Sequence, residues 1–154
     1  MHFNHKITPF LSFKNEAAEA VNLYVSLLPD SRIIQTVNNP DSGELMTVEF
    51  ELAGMTFVAL NAGQPWEFTE AFSLAISCET QAEIDHLWDS LMVGGEPLAC
   101  GWLKDKFGVR WQILPASIGQ MLADPDPARA KRVFDAMSQM IKLDMATLQA
   151  AYDG

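Results

Sequence analysis

The chain has two cysteines, Cys78 and Cys100, in 154 residues. That is too few for a disulfide framework, so the fold must rest on its core, and a reducing cytoplasmic setting is expected. Basic residues are also scarce: ten Lys and Arg against twenty Asp and Glu leave a formal charge of -10. Such a surface repels a phosphate backbone and anionic lipid, so nucleic acid is not an expected partner. Long apolar runs are missing too. The most apolar stretch, residues 53 to 60, falls far short of the ~20 residues that cross a bilayer and carries Gly54 and Thr56. The start, MHFNHKITPF, shows no apolar signal core, and no membrane partner is expected.

What is present is an ordinary globular balance, 49% hydrophobic with 19% charged, enough for one domain with a sizeable core. Within it one pattern occurs twice, 64 positions apart. Residues 17–28 (AAEAVNLYVSLL) and 81–92 (QAEIDHLWDSLM) agree at Ala18/Ala82, Glu19/Glu83, Leu23/Leu87, Ser26/Ser90 and Leu27/Leu91, with Tyr24 facing Trp88. Each copy follows a short apolar stretch and precedes strand-like sequence, so the repeating unit reads as strand, helix, then further strands.

In the first copy, Ile7 to Phe13 reads as a strand, and Asn15 is the expected N-cap of a helix burying Val21, Tyr24, Val25 and Leu28. After Pro29-Asp30 come a strand at Arg32 to Val37, an NPDSG turn, and an alternating strand at Leu45 to Leu52. Its Met46, Val48, Phe50 and Leu52 share one side, and Thr47, Glu49 and Glu51 the other, which is expected to be wet. Thr56 to Asn61 completes the unit. The second copy opens at Ala71 to Cys78 and continues with a Thr80/Glu83 capping box and the stripe Ile84, Leu87, Trp88, Leu91. Leu98 to Leu103 and Val109 to Leu114 read as a hairpin whose charged tip, Lys104, Asp105 and Lys106, is expected to be solvated.

Beyond Pro115 the pattern is helical: Ser117 to Ala123, then Asp126 as cap with Pro127 at the first helical position and the stripe Ala130, Val133, Phe134, Met137, Met140, Ile141. Asp144 starts a last helix. The stripe must be buried against a sheet edge or a second subunit, and a dimer role is favoured.

The segments ITPFLSF, LYVSLLPDS, MTVEFEL, CGWLKDKFGVRWQILP and DPDPARAKRVFDAM resemble, nearly end to end, the PhnB-like branch of the glyoxalase/bleomycin-resistance/dioxygenase (vicinal oxygen chelate) superfamily. The resemblance implies an α+β fold of two βαβββ modules, residues 3–61 and 71–115, whose curled mixed sheets surround a cavity. C-terminal helices over 116–154 complete a single domain, 1–154, and a homodimer is implied. Members of this branch often carry a demethylubiquinone methyltransferase label. S-adenosylmethionine enzymes commonly use a Gly-rich turn between a strand and a helix, where backbone amides approach the ligand closely. The only adjacent glycines, Gly94-Gly95, follow a helix, so the label finds no support in the sequence.

In metal-dependent relatives four His or Glu side chains hold a divalent ion, and by the repeat and the motif those places fall on Pro9, Ala59, Ser73 and Gln112. Proline and alanine cannot coordinate, and neutral hydroxyl and amide oxygens are weak ligands, so no metal and no other cofactor is expected. His2 and His5, just before the first strand, are the alternative ligands, and His86 reads as a surface or boundary residue. The cavity is expected to be lined by Phe57, Ala59, Asn61, Ser73, Ala75, Ser77, Arg110 and Gln112, with Leu74, Ile76, Cys78, Trp111 and Ile113 packed under the helix. Relatives usually have serine where Arg110 stands. A long cation there would narrow the site or bind an anion.

Two functions follow. The first is metal-free binding of a small organic ligand, as in bleomycin-resistance members. The second is a lyase or isomerase in which Gln112, Ser73 and Arg110 position the substrate and Glu70 or Asp105 acts as base. Trp66 and Phe68 suit a lid or a dimer seam, and Cys100 reads as packing first and redox second. A partner-docking role for the C-terminal helices is a third reading.

Overall fold

The computed structural model describes residues 5–154 and falls into two units, Met1–Glu67 and Phe68–Gly154. The first unit contains β1 (Phe10–Phe13), α1 (Ala17–Leu27), β2 (Arg32–Asn38), β3 (Leu45–Leu52) and β4 (Met55–Asn61), in the sheet order β1-β4-β3-β2. The second contains β5 (Leu74–Cys78), α2 (Gln81–Leu91), β6 (Glu96–Pro97), β7 (Trp102–Lys104) and β8 (Arg110–Pro115), in the order β5-β8-β7-β6. In each sheet the first strand pairs parallel to the last, and the remaining pairs are antiparallel. The repeat is thus a topological one, an α+β fold of two four-stranded mixed sheets.

The helices form where their apolar stripes require. α2 buries Ile84, Leu87, Trp88 and Leu91, and its N-terminus is held by Thr80 Oγ1, which accepts from the Glu83 amide at 3.2 Å. Glu83 returns its carboxylate to the amide of Glu79 at 2.8 Å, one residue earlier than a standard capping box. α1 buries Ala17, Ala20, Val21 and Tyr24, while Val25 and Leu28 are only half-buried. Its cap is not Asn15: the amide of Ala17 donates to Asn61 Oδ1 at 2.9 Å, a partner 44 residues away.

One pair of hydrogen bonds fixes how the two copies correspond. The amide of Ala62 donates to Phe13 O and that of Ala116 to Cys78 O, each at 2.8 Å, and Phe13 pairs with Asn61 as Cys78 pairs with Pro115. The first strands, β1 and β5, therefore match at an offset of 65 and the last, β4 and β8, at 54, although the helices match at 64. The first copy has three residues, Lys14, Asn15 and Glu16, between strand and helix, where the second has two, Glu79 and Thr80.

The hairpin expected over Leu98 to Leu114 is shorter than its sequence reading. Residues 98–101 form a turn between β6 and β7, with Cys100 and Gly101 at φ 60° and 81°. Their amides donate to Met140 O and Ile141 O at 2.9 and 2.7 Å, so the C-terminal chain takes the hydrogen bonds a longer strand would have used. A Cβ at Gly101 would come within 2.9 Å of Ile113 O, which makes glycine necessary there.

The C-terminal helices are α3 (Ile118–Leu122), α4 (Pro127–Ser138) and α5 (Met145–Asp153), the last two capped by Asp126 and Asp144. They build a small core of Ile118, Met121, Val133, Leu143 and Leu148. Of the stripe expected on α4, Phe134 and Ile141 are instead 56% and 51% exposed. The tail is tied to α2 by Gln81, whose amide nitrogen donates to Leu143 O at 3.1 Å and whose Oε1 accepts from Met145 N at 2.8 Å. Lys142 reaches Asp85 at 2.9 Å beside it. Among the described residues no helix is long and apolar enough to cross a membrane.

Candidate functional site

The second sheet has one face under α2 and one free of it. Trp111, Ile113 and Cys78 are 0 to 2% exposed on the helix side, with Leu74 and Ile76 beside them, as strand alternation requires. The other face carries Ser73, Ala75, Ser77, Arg110 and Gln112, with Ala75 paired to Gln112 and Trp102 on the far side of Gln112. Gln112 Nε2 donates to Ser73 Oγ at 2.8 Å. These five expected site residues are therefore brought together on one surface, where Ala75 and Ser77 are exposed and Gln112 and Arg110 half-buried.

Arg110 does not offer its charge to a ligand. Its Nε and Nη2 donate to Glu70 Oε1 at 3.1 and 2.9 Å, and its Nη1 donates to Gly108 O at 2.6 Å. Glu70 is held below the usual carboxylate range by a backbone hydrogen bond first and by Arg110 second. Engaged in this way, it is a poor proton acceptor. Asp105 is no better placed to act as base, and the solvated-tip reading fails for it. The residue is 1% exposed, and its carboxylate accepts from the amides of Phe107 and Val109 and from Trp111 Nε1 at 2.9 to 3.0 Å. It organises the turn. Lys104 pairs with Glu96 at 2.7 Å, and Lys106 is exposed.

In the first unit this strand-by-strand correspondence changes the expected surface. Val58, not Ala59, corresponds to Gln112, and Thr8, not Pro9, to Ser73. Phe57, Ala59 and Asn61 share the face of Leu11, Phe13, Val48 and Phe50, whose side chains are all within 5% of full burial. Phe50 and Phe57 stack there at 5.5 Å, and Asn61 caps α1. The three residues expected in the cavity therefore belong to the apolar side that α1 covers. A shift of one residue carries every side chain of a strand to its other face. The opposite face presents Ser12, Thr47, Glu49, Thr56 and Val58, and Glu49 is 2% exposed, not wet.

Sequence reasoning gave no sign of a cleft of about 320 Å³ in the first unit, lined by Lys14, Asn15, Asn39, Glu44 and Asn61 among others. It lies between two turns, whose meeting no periodicity predicts. Cys78 is fully buried, its thiol pushed up to about 12 by desolvation and by Glu83, and Cys100 is half-buried. His5 and His86 are exposed, and His2 lies outside the described residues.

The model of a family described as 3-demethylubiquinone-9 3-methyltransferase matches residues 5–114. The PhnB protein from Bacillus cereus is 34% identical, over 73% of this chain and 100% of that one, with a TM-score of 0.68. This chain belongs to the PhnB-like family of the vicinal oxygen chelate superfamily. Protein PA1353 from Pseudomonas aeruginosa shares the fold at 20% identity, over 71% of this chain and 96% of that one, with a TM-score of 0.58. So does the fosfomycin resistance protein FosX from Listeria monocytogenes, solved with Mn(II) and 1S,2S-dihydroxypropylphosphonic acid, at 14% identity over 79% and 99% and a TM-score of 0.57. No curated protein matches.

The PhnB-like chain does not fit the divalent metal of its superfamily. At the four corresponding places, register puts Thr8, Val58, Ser73 and Gln112. A valine has no donor, and two hydroxyls with an amide do not hold zinc, nickel or iron against water. Among the described residues no group of three or more His, Cys, Asp or Glu could hold a metal ion. The strand-to-helix turns, residues 14–16 and 79–80, contain no glycine, so neither resembles the phosphate- or nucleotide-cradling turn that methyl-transfer cofactors commonly use.

Proposed function

We propose that this PhnB-like protein binds a small organic ligand, without a metal, on the face of the second sheet that α2 leaves free. The observation that carries the reading is the Ser73–Gln112 pair at 2.8 Å. It fixes the amide plane of Gln112 and leaves its Oε1 without a partner among the described residues, between the exposed Ala75 and the half-buried ring of Trp102. A flat ligand with a hydrogen-bond donor would stack on Trp102 and donate to that oxygen. The alternative, a lyase or isomerase of the superfamily type, has less support, because Arg110 occupies Glu70 and three N–H groups occupy Asp105.

The test is a thermal-shift screen of aromatic and heteroaromatic compounds against the native protein and the Gln112→Ala variant. A ligand at about a hundred times its Kd adds about 2.7 kcal/mol to the native state. The expected result is a raised Tm in the native protein and a smaller rise in the variant. No responding compound, or equal shifts in both proteins, sinks the reading. Homodimer assembly belongs to the same proposal and is supported by the exposed Phe134 and Ile141 on the tail. Sedimentation equilibrium reads it directly.

A further inference from the structure

Two carboxylates of this chain are almost completely buried, and the fold treats them in opposite ways. Asp105, 1% exposed, accepts three N–H donors. Glu49, 2% exposed, makes no side-chain hydrogen bond and no ion pair among the described residues, and its carboxylate oxygens keep the little solvent contact the residue has. Its surroundings add to the imbalance. Glu49 lies on the face of the first sheet that α1 does not cover, opposite Val58 on one side and Gln35 on the other. Two residues along β3 on the same face is Thr47, 5% exposed, whose Oγ1 is buried without a partner. Thr56, also buried, stands on the same face of β4. A buried carboxylate is disfavoured when nothing offsets its charge, and native proteins rarely leave one so. The chain gives Asp105 three donors of its own and gives Glu49 none among the described residues.

We propose that Glu49, with Thr47 beside it, is a binding site for the cationic group of an organic ligand, a primary amine in the first instance. An ammonium has three donors and one positive charge. It would satisfy the carboxylate and one hydroxyl together and supply the missing counter-charge. This site belongs to the first unit and does not depend on the Ser73–Gln112 reading.

The experiment compares benzylamine with benzyl alcohol, its neutral counterpart of similar shape, at fixed ionic strength. Calorimetric titration and Tm are recorded for the native protein, Glu49→Gln and Thr47→Val. Benzylamine is expected to bind and raise the Tm of the native protein, with benzyl alcohol doing neither. Glu49→Gln is expected to melt higher than the native protein when both are ligand-free, because an uncompensated charge has been removed. It should also bind benzylamine at least ~tenfold more weakly, the scale of a hydrogen bond to a charged group. Thr47→Val keeps the test open should Glu49→Gln fail to fold: its affinity should fall with the fold intact. Equal binding of amine and alcohol overturns the proposal, as does unchanged benzylamine affinity in both variants or a lower ligand-free Tm for Glu49→Gln. Tight binding of manganese or magnesium chloride that is lost in Glu49→Gln, with no response to the amine, overturns the ligand class in favour of a metal.

Discussion

Arg110 grips Glu70 through two nitrogens at 3.1 and 2.9 Å while a third rests on Gly108 O, so one side chain fastens the segment before β5 to the hairpin between β7 and β8. Because Glu70 is exposed, the pair adds little to global stability and acts on the local chain. Arg110→Ala is expected to leave the urea midpoint nearly unchanged while speeding proteolysis within residues 62–72. Raised salt should do the same to the native protein by screening the pair. Identical cleavage rates in both proteins would show that the segment is held by something else.

Asp105→Ala removes the acceptor of two turn amides and of the Trp111 indole, all in a buried place. A loss of about 3 kcal/mol or more is expected from these charge-assisted bonds and the stranded donors. Urea unfolding measures it, and a change in Trp111 fluorescence in the native baseline should accompany it. A loss under ~1 kcal/mol would mean the turn closes without this carboxylate.

The thiols should differ in reactivity. Cys78 is raised to about 12, with desolvation as the leading cause and Glu83 behind it, so at pH 8 it stays a buried thiol. A disulfide reagent should modify Cys100 in the native protein and Cys78 only after unfolding. The sign for stability follows: the folded state holds the Cys78 proton more tightly than the unfolded chain does. That contribution is complete below about 9, the unfolded value, and is lost as pH climbs toward about 12. Native modification at both thiols, counted by mass spectrometry, would contradict this.

Acid should loosen the C-terminal helices. Asp85 is lowered chiefly by Lys142, Asp124 by Tyr152, and Asp144 by Thr147, each a carboxylate that the folded tail uses in its charged form. Their contributions are present above the unfolded value of 3.8 and disappear as pH falls through the lower folded values. Hydrogen exchange below about pH 4 should rise in residues 124–153 before it rises in β3 and β4. Simultaneous loss of protection everywhere would place the acid-sensitive groups elsewhere.

Much of the architecture was legible because it is local. The stripe of α2, the Thr80 cap and the two faces of β5 and β8 all follow from periods of 3.6 and 2 within a dozen residues. The Ser73, Ala75, Ser77, Arg110, Gln112 surface was found on that basis. The first unit was misread by one residue because the repeat is clearest in its helices, and the extra residue between Phe13 and Ala17 is invisible when helices set the alignment. Burial of a polar side chain is also not a local property. Glu49 and Asp105 look like surface residues until other segments cover them, and the N-cap of α1 comes from Asn61 across the sheet. Phe134 and Ile141 show the converse, since an apolar stripe says what would benefit from burial and not what the neighbours leave room for.

Gln81 opens α2 at the place where Ala17 opens α1, and its side-chain amide donates to Leu143 O and accepts from the Met145 amide, holding one short stretch of the tail's backbone from both sides. An alanine cannot do this. The two halves, alike in topology, have therefore ceased to be exchangeable parts: a chimera of two first halves would keep its sheets yet leave residues 143–145 with nowhere to fasten. The duplication has acquired a direction, and a single side chain at the head of one helix records it.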